Sequence, residues 1–303
     1  NGISVLDTMS EKELILMLKH SEQEYYCNTN PVMSDDEYEI LREYIINKYP
    51  DNKEADTGHE KCEIAKNRVK LPYQMWSMDK IKPDSKELDK YKKQYKGPYV
   101  LSCKLDGISG LYSTEGEEAK LYTRGNGKVG QDISYLIPYL NLPKEKGLVV
   151  RGELIMLRKS FEDNYKGKFA NARNMVSGLV NSKTVDDKIK DVDFVSYEVI
   201  KPELKISEQM KKMEESGFKT VRNEKVEKLS NEYLSNKLVD WRTNYAYEID
   251  GVIVADDNIY KRKEKNPEHA FAFKMVISDQ IAEAKVIDVI WTPSKSGFLK
   301  PKV

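Results

Sequence analysis

Residues 101–110, LSCKLDGISG, place a lysine and an acid, Lys104 and Asp106, immediately before a glycine turn. A primary amine is a nucleophile only when it is deprotonated, a state that partial burial or a neighbouring cation favours. Two residues apart on a strand, the two side chains would share a face, so Asp106 could orient the amine or its target. The alternative is a solvated lysine ahead of an Asp-Gly hairpin turn.

Four later runs place further charged residues beside strand-like segments. They are Arg124 in TRGNG (123–127), Glu153 in RGE (151–153), a second Asp-Gly step in EIDGVIVA (248–255) and Lys274 in AFAFKM (270–275). Each run alone has an ordinary structural explanation, such as a lysine whose stem lies on apolar surface while its ammonium reaches solvent. Together they offer a nucleophile, further cations and acids, which phosphoryl transfer needs for positioning and charge stabilisation.

Two amphipathic helices are predicted ahead of these runs, over 10–26 and 34–49. Ser10 with Glu13 forms a capping-box pattern at the start of the first helix. Apolar residues recur at helical spacing in both segments. The pair predicts a small helical domain that ends near residue 55, in a polar stretch.

From about residue 70, short β-rich runs alternate with helical segments. The strand-like runs are PYVLSCKL, ISGLYS, AKLYTRGNG, LVVRGELIM, DFVSYEVI, EIDGVIVA and HAFAFKMV. Helices are expected around 84–95, 160–182, 204–217 and 226–244. This order predicts an α+β fold with mostly antiparallel strands. The last run, EAKVIDVIWTPSKSGFLKPKV, alternates like two more strands.

Composition argues against several classes of protein. Lys plus Arg and Asp plus Glu are 50 each among 303 residues, so the chain has no global basic field and nucleic-acid contacts would need local patches. Three separated cysteines and three scattered histidines indicate neither a disulfide framework nor a metal site, and they fit a reducing compartment. No apolar run approaches the roughly 18 residues of a membrane span. Asn1 in place of Met suggests a trimmed or processed start.

The motifs also have a characteristic order. K-x-D-G, T-R-G-x-G, R-G-E, D-G-V-I-V and A-x-A-F-K resemble the nucleotidyltransferase motifs of covalent ligases and capping enzymes, and more closely those of NAD-dependent DNA ligases. Further similar blocks are QMWSMDKI (74–81), FANARNMVSGL (169–179), Arg242 eight residues before Asp250, and YYCNTNPVMSDDEYEIL (25–41). One K-x-D-G is weak, whereas the ordered series of these blocks through essentially the whole chain is specific. The helical block is typical of the NAD-dependent branch.

The resemblance implies three domains. A helical domain that binds nicotinamide mononucleotide is expected over 1–55, and a nucleotidyltransferase (adenylation) domain of the covalent-ligase fold over 56–284. The segment 285–303 would open an OB-fold, whose basic groove binds nucleic acid.

The resemblance also implies a reaction. The lysine attacks the adenylyl phosphorus of NAD⁺, nicotinamide mononucleotide leaves, and a lysyl–AMP forms. AMP then passes to the 5′-phosphate of a nick in double-stranded DNA, and the 3′-hydroxyl displaces it. NAD is thus the expected nucleotide, Mg²⁺ the expected ion, and no metal-ligating residues are predicted.

Residue roles follow from the matching positions. Lys104 matches the nucleophile, Asp106 the motif acid, and Lys274 a cation that with Mg²⁺ neutralises the adenylyl phosphate. The nucleotide-binding matches are Arg124 and Glu153 for nucleotide and ribose, Tyr197 for stacking on adenine, Ser77 and Met78 for a segment along adenine, Arg173 and Arg242 for the leaving nucleotide or DNA phosphates, and Tyr25, Tyr26, Asp35 and Tyr38 for nicotinamide mononucleotide.

Five positions depart from the family pattern. Tyr26 stands where the family usually has His, Glu39 where it has Asp, and Asn181 where it has a later Arg. Ser102 replaces a Glu that contacts adenine, and Ala255 replaces a motif lysine. These departures predict a divergent member, viral or from a phage, or one with a different nucleotide donor. Lys261 or Arg262 are candidates for the cation missing at Ala255.

Two alternatives remain open from the sequence. One is an ATP-using polynucleotide or RNA ligase with the same lysine chemistry, against which the helical module argues. The other is a degenerate, non-catalytic nucleotide- or DNA-binding subunit. The expected partners are nicked DNA and either a second subunit or C-terminal modules that the chain lacks, namely the rest of the OB-fold, a zinc finger, helix-hairpin-helix and BRCT. The expected location is the cytoplasm, that of the host cell for a viral protein, with no membrane association.

Overall fold

The computed structural model describes residues 6–22, 32–33, 35–50, 52, 68–182, 184–275, 290–293 and 299–302. The helices are α1 Glu11–Glu22, α2 Asp35–Lys48, α3 Glu87–Gln94, α4 Arg158–Asn164, α5 Ala172–Val180, α6 Ile206–Glu215 and α7 Asn231–Asn244. The strands are β1 Arg68–Lys70, β2 Asp79–Ile81, β3 Tyr99–Leu105, β4 Ile108–Ser113, β5 Lys120–Thr123, β6 Val129–Gln131, β7 Val149–Met156, β8 Val192–Lys201, β9 Lys219–Thr220, β10 Asn223–Val226, β11 Ile249–Asp256, β12 Ala270–Phe273, β13 Ile290–Pro293 and β14 Leu299–Lys302.

Two five-stranded sheets form the body of the fold. The first has the strand order β10-β3-β11-β12-β2, and the second has the order β5-β4-β7-β8-β9. Only the pairs β12–β2 and β8–β9 are parallel among the ladders of the described residues. The predicted α+β fold with mostly antiparallel strands is therefore confirmed. The last two strands, β13 and β14, pair with each other as the alternation predicts.

Both sheets bury side chains in one hydrophobic core. Phe273 from the first sheet and Leu154 from the second are fully buried, and Trp241 of α7 is 1% exposed in the same cluster. Alternation of apolar residues along strands, and at helical spacing on α7, is what directs these side chains inward. The shared core fixes the two sheets relative to each other, which is what a site between them requires.

The helical pair has a small core of its own. Leu14 and Leu18 of α1 pack with Leu41 and Ile45 of α2, as the helical spacing predicts. The capping box also forms: the backbone amide of Ser10 donates to the Glu13 carboxylate at 2.8 Å. The predicted boundaries of these two helices agree to within one residue where the residues are described. In that part of the chain, no helix combines the length and apolar character that crossing a membrane requires.

Two helical predictions need correction. The predicted helix 160–182 is two helices, because Gly167 adopts φ +85° and the side chain of Asn171 then caps α5 by accepting from the Asn174 amide. The helix predicted from 226 begins only after Ser230, whose hydroxyl accepts from the Tyr233 amide. Val226, the first residue of the predicted helix, is the last residue of β10, which joins the edge of the first sheet beside β3, and residues 227–230 are irregular.

Candidate active site

A cleft of about 2510 Å³ lies between the two sheets and extends to the helical pair. It collects the predicted site residues whose side chains are described: Tyr38, Ser77, Met78, Lys104, Asp106, Arg124, Glu153, Arg173, Tyr197, Arg242 and Lys274. Of the remaining predicted residues, Tyr25 and Tyr26 lie outside the described residues. Asp35 begins α2, and its side chain is likewise outside them.

Two lysines in the cleft share one carboxylate. The Lys104 ammonium lies 2.9 and 3.1 Å from the two oxygens of Asp250, and the Lys274 ammonium lies 2.8 Å from Oδ2. Burial favours the neutral acid, but the charges of both lysines outweigh it and hold the pKa of Asp250 below its ordinary value. Asp250 is therefore an anion that fixes two ammonium groups side by side at the base of the cleft.

A β-bulge aims Asp250 at the lysines. Ile249 pairs with Leu105 and Gly251 with Lys104, so Asp250 is an extra residue in the ladder between β11 and β3. A bulged residue leaves the regular alternation and its side chain can be re-aimed. Gly251 also allows close packing, because a Cβ there would lie 2.7 Å from the Phe273 carbonyl oxygen and 3.2 Å from the Lys274 side chain.

Asp106 does not orient Lys104. Its carboxylate accepts from Arg173 at 2.8 Å, whereas Asp250 takes the position beside the amine. The reason is that β3 ends at Leu105, so Asp106 lies in the turn and the strand alternation no longer applies to it. The prediction that Asp106 orients the amine is wrong, whereas the alternative, that it orients the target of the amine, stays a prediction. Asp106 does line the cleft.

Glu153 is a buried acid beside these charges. It is 8% exposed, and burial raises its pKa to about 7 even though Lys104 and Arg173 act in the opposite direction. Gly107 permits this approach, since a Cβ there would lie 2.4 Å from the Leu154 carbonyl oxygen. The acid can therefore exchange a proton near neutral pH.

Arg124 connects the second sheet to the segment before β2. Its Nε donates to the Met75 carbonyl at 2.9 Å, and its Nη2 donates to the Ser77 hydroxyl at 2.8 Å. Both Ser77 and the adjacent Met78 line the cleft. The arginine thus fixes the path of the 75–78 backbone along the cleft wall.

Three further predicted residues, Tyr197, Arg242 and Tyr38, line the walls of the cleft. Tyr197 forms a short hydrogen bond with the Ser109 hydroxyl and lines the cleft. Arg242 of α7 lines the cleft as well, and its backbone carbonyl accepts from Arg158. Tyr38 extends the lining to α2.

Sequence reasoning missed two acids and one arginine of the cleft. Asp250 was recognised only as part of an Asp-Gly pattern, and Glu198 and Arg151 were not singled out. Glu198 follows Tyr197 directly, and Arg151 precedes Glu153 by two residues. Their closeness to these motif residues is the one feature of the sequence that points to them. Their contacts connect strands that are distant in sequence.

A divalent ion would find few protein ligands in the cleft. Within the described ranges, no three His, Cys, Asp or Glu side chains are arranged to hold a metal. Mg²⁺ usually keeps several waters and binds substrate phosphates with one or two carboxylates. Glu153, with a pKa of about 7, is a carboxylate that fits such a secondary role. When bound with the nucleotide, the ion would neutralise phosphate charge.

The cleft holds the charges that binding a phosphate requires. Two ammonium groups lie side by side on Asp250, one of them near the end of β3, and Arg124 and Arg173 also line the cleft. A lysine amine beside cations that can neutralise phosphoryl oxygens is the arrangement that a nucleotidyltransferase needs. The fold and the site together fit this class of enzyme.

Comparison with known proteins gives the family. The sequence profile of the NAD-dependent DNA ligase adenylation domain matches residues 65–277. The chain belongs to this family.

Related proteins are named as DNA ligases. The chain is 42% identical over 292 residues to a DNA ligase of Acanthamoeba polyphaga mimivirus, with 92% of this chain and 45% of that protein covered. It is 36% identical over 315 residues to a putative DNA ligase of Invertebrate iridescent virus 6, covering 98% and 49%. It is 30% identical over 345 residues to a DNA ligase of Clostridioides difficile (strain 630), covering 99% and 49%. The chain spans about half the length of these curated relatives.

Proposed function

We propose that this chain performs the adenylation half of an NAD-dependent DNA ligase reaction. The observation that carries the proposal is the pair of lysines held by Asp250 in a cleft lined by the other motif residues. The Lys104 nitrogen would form a bond to the adenylyl phosphorus of NAD⁺. The bond from that phosphorus to the bridging pyrophosphate oxygen would break, and nicotinamide mononucleotide would leave with that oxygen. Asp250 is the nearest acceptor for the proton that the amine loses.

The other residues would hold the nucleotide. Lys274 would neutralise the adenylyl phosphate beside Lys104, since it is fixed by the same carboxylate. Arg124 and Glu153 would hold the nucleotide and its ribose. Tyr197 would offer its ring to the adenine.

Further roles come from the family resemblance. The segment with Ser77 and Met78 would lie along the adenine. Arg173, whose Nη1 donates to the motif acid Asp106, and Arg242 would contact the leaving nucleotide or DNA phosphates.

The helical pair would bind the nicotinamide mononucleotide half. Tyr25, Tyr26, Asp35 and Tyr38 are the proposed contacts, in a domain over 1–55 that precedes the adenylation domain over 56–284 and an OB-fold beginning at 285. An aromatic ring stacks favourably on a cationic pyridinium. We also propose, from the family alone, that the whole protein seals a nick in double-stranded DNA with Mg²⁺ bound alongside the nucleotide phosphates.

The first test is the mass of the intact protein after incubation with Mg²⁺ and either NAD⁺ or ATP. We expect an AMP adduct from NAD⁺ only, absent from Lys104→Ala and present in Lys120→Ala, because Lys120 is a half-buried lysine outside the cleft lining. An adduct from ATP only would favour the ATP-using alternative. No adduct from either nucleotide, with the protein folded, would favour a non-catalytic subunit.

The helical pair has its own test. Tyr38→Ala should slow adduct formation at NAD⁺ concentrations below saturation, because the proposed stacking on the pyridinium would be lost. Tyr44→Ala is the control, since Tyr44 lies on the same helix but outside the cleft lining. Equal effects of both substitutions would show that only the stability of α2 had changed.

A further inference from the structure

A second β-bulge lies in the other wall of the cleft. Arg151 pairs with Glu198 and Gly152 with Ser196, so Tyr197 is an extra residue in the ladder between β7 and β8. Neighbouring residues of a regular strand face opposite sides of a sheet. The bulge removes that alternation, and both Tyr197 and Glu198 line the cleft.

The Glu198 carboxylate accepts hydrogen bonds from two arginines. Arg151, 8% exposed in its side chain, donates to one carboxylate oxygen at 2.9 Å, and Arg262 donates to the other. Burial favours the neutral acid, but the charges of Arg151 and Arg262 outweigh it and lower its pKa. An ionised carboxylate only accepts hydrogen bonds and has about four acceptor positions. Two are occupied by the arginines, and the side chain is still 25% exposed to the cleft.

The two arginines are themselves fixed by backbone. Arg151 donates to the Trp76 carbonyl at 3.2 Å, and Arg262 donates to the Gln74 carbonyl. The Arg151 Nε and the Trp76 indole nitrogen are buried and have no hydrogen-bond partner. Buried polar atoms without partners are rare in folded proteins and indicate that something else completes the site.

The cluster of Glu198, Arg151 and Arg262 lies next to the part of the cleft that contains Lys104, where the phosphate is proposed to bind. Glu153, beside Lys104, and Arg151 are two residues apart on β7, so they share a face at roughly 7 Å. A nucleotide whose phosphate met Lys104 would extend its base along this wall.

The described parts of strands β3 and β11 in the facing wall present uncharged side chains to the cleft beyond Lys104. The lining residues there include Ser102, Ile253 and Ala255. Ser102 and Ala255 are 5% and 4% exposed. The charges nearest to Glu198 are Arg151 and Arg262, and the one titratable neighbour from the first sheet that their field reaches among the described lining residues is His269, just before β12, whose pKa is lowered by burial.

We propose that Glu198 is the specificity-determining residue for the base of the adenylyl donor. Its carboxylate accepts a hydrogen bond from the exocyclic amine of adenine, while Arg262 donates to an adjacent ring nitrogen. This ring nitrogen is N7, and on the edge that carries it adenine presents a donor beside an acceptor, whereas a purine with a carbonyl in place of the exocyclic amine presents acceptors only. A carboxylate repels that carbonyl. The inference rests on the proposed adenylation reaction and names the residues that select its donor.

The test compares NAD⁺ with nicotinamide hypoxanthine dinucleotide, in which a carbonyl replaces the exocyclic amine. Initial rates of covalent adduct formation are measured by intact mass with Mg²⁺ present. We expect the unmodified protein to prefer NAD⁺ by about 100-fold or more, as buried polar sites do against an analogue that lacks the matching group. Glu198→Gln should reduce the preference to below about tenfold, because an amide can donate to a carbonyl as well as accept.

Matched variants separate specificity from folding. Glu203→Gln, the same change at an exposed acid on the cleft rim, should keep the original preference. Arg262→Met removes one of the two arginines that donate to Glu198, and Arg262 lies on an exposed loop. This variant should also lower the preference for NAD⁺. This variant decides the question if Glu198→Gln does not fold.

The outcomes distinguish two failures. Slower reaction with both dinucleotides at an unchanged ratio, in both Glu198→Gln and Arg262→Met, would mean that the cluster is structural only and would overturn the inference. If the unmodified protein forms no adduct with either dinucleotide, the proposed function itself fails. A preference for the hypoxanthine compound in the unmodified protein would also overturn the assignment of Glu198.

Discussion

Glutamine in place of Glu153 should make the protein more stable at neutral pH than the unmodified chain. Glu153 is 8% exposed, and burial raises its pKa to about 7 from an ordinary value of 4.5. Between these two values the folded state holds a proton that the unfolded state has released. The free energy of unfolding therefore falls as pH rises through this window. Glutamine resembles the neutral acid in shape and removes this cost.

The magnitude follows from the same values. One unit of pKa shift corresponds to about 1.4 kcal/mol, so the full window corresponds to up to about 3 kcal/mol. Glu153→Gln and the unmodified protein should be about equally stable near pH 5. The variant should gain steadily toward pH 7 and then keep a constant advantage above it. The other titrating groups are common to both proteins and cancel in the difference.

The assay is urea unfolding at several pH values between 5 and 8. Tryptophan fluorescence reports the loss of the core, because Trp241 is 1% exposed there. A stability difference that does not change with pH, or that falls as pH rises, would refute the reasoning about burial. Glu198→Gln is the control with opposite electrostatics. The pKa of the Glu198 carboxylate is lowered, so the stability that this group contributes is fully present above about pH 4.5 and is lost only at lower pH. The stability difference between Glu198→Gln and the unmodified protein should therefore not change between pH 5 and 8.

Three further substitutions have defined outcomes. Asp250→Asn should lower the single-turnover rate of adduct formation by about 100-fold, because neither lysine keeps its charged partner, and intact mass against time measures this. Gly251→Ala should cost about 1–3 kcal/mol in thermal unfolding, because a Cβ would lie 2.7 Å from the Phe273 carbonyl oxygen, whereas Gly178→Ala, with open space around it, should not. Arg173→Met should change stability by less than about 1 kcal/mol, since its pair with Asp106 is about one-third exposed, yet it should slow the reaction with NAD⁺.

The fold class was predictable because its signals are local. The Ser10–Glu13 cap forms as its pattern predicts, and the alternating runs become strands of two mostly antiparallel sheets. Helix boundaries were wrong where a turn conformation decided them, as at Gly167. The short strand β10 was hidden for a different reason, because an edge strand is defined by its neighbour rather than by its own residues.

The candidate site was predictable to the extent that its residues belong to ordered motifs. Lys104, Glu153 and Lys274 were found from their own short runs, and the structure brings all three into one cleft. That prediction depended on resemblance of sequence blocks and needed no knowledge of which side chains touch.

The sequence by itself thus determined the fold class, the nucleophile candidate and the family, since each is written in short-range patterns and in their order. Only the tertiary structure decided the partners: Asp250, 146 residues from Lys104, holds the amine in place of Asp106, and Arg262 reaches back 64 residues to Glu198. Both acids owe their contacts to bulged ladders. A bulge shifts which face of a sheet a side chain occupies, and that shift depends on the register between two strands rather than on the residues of either one.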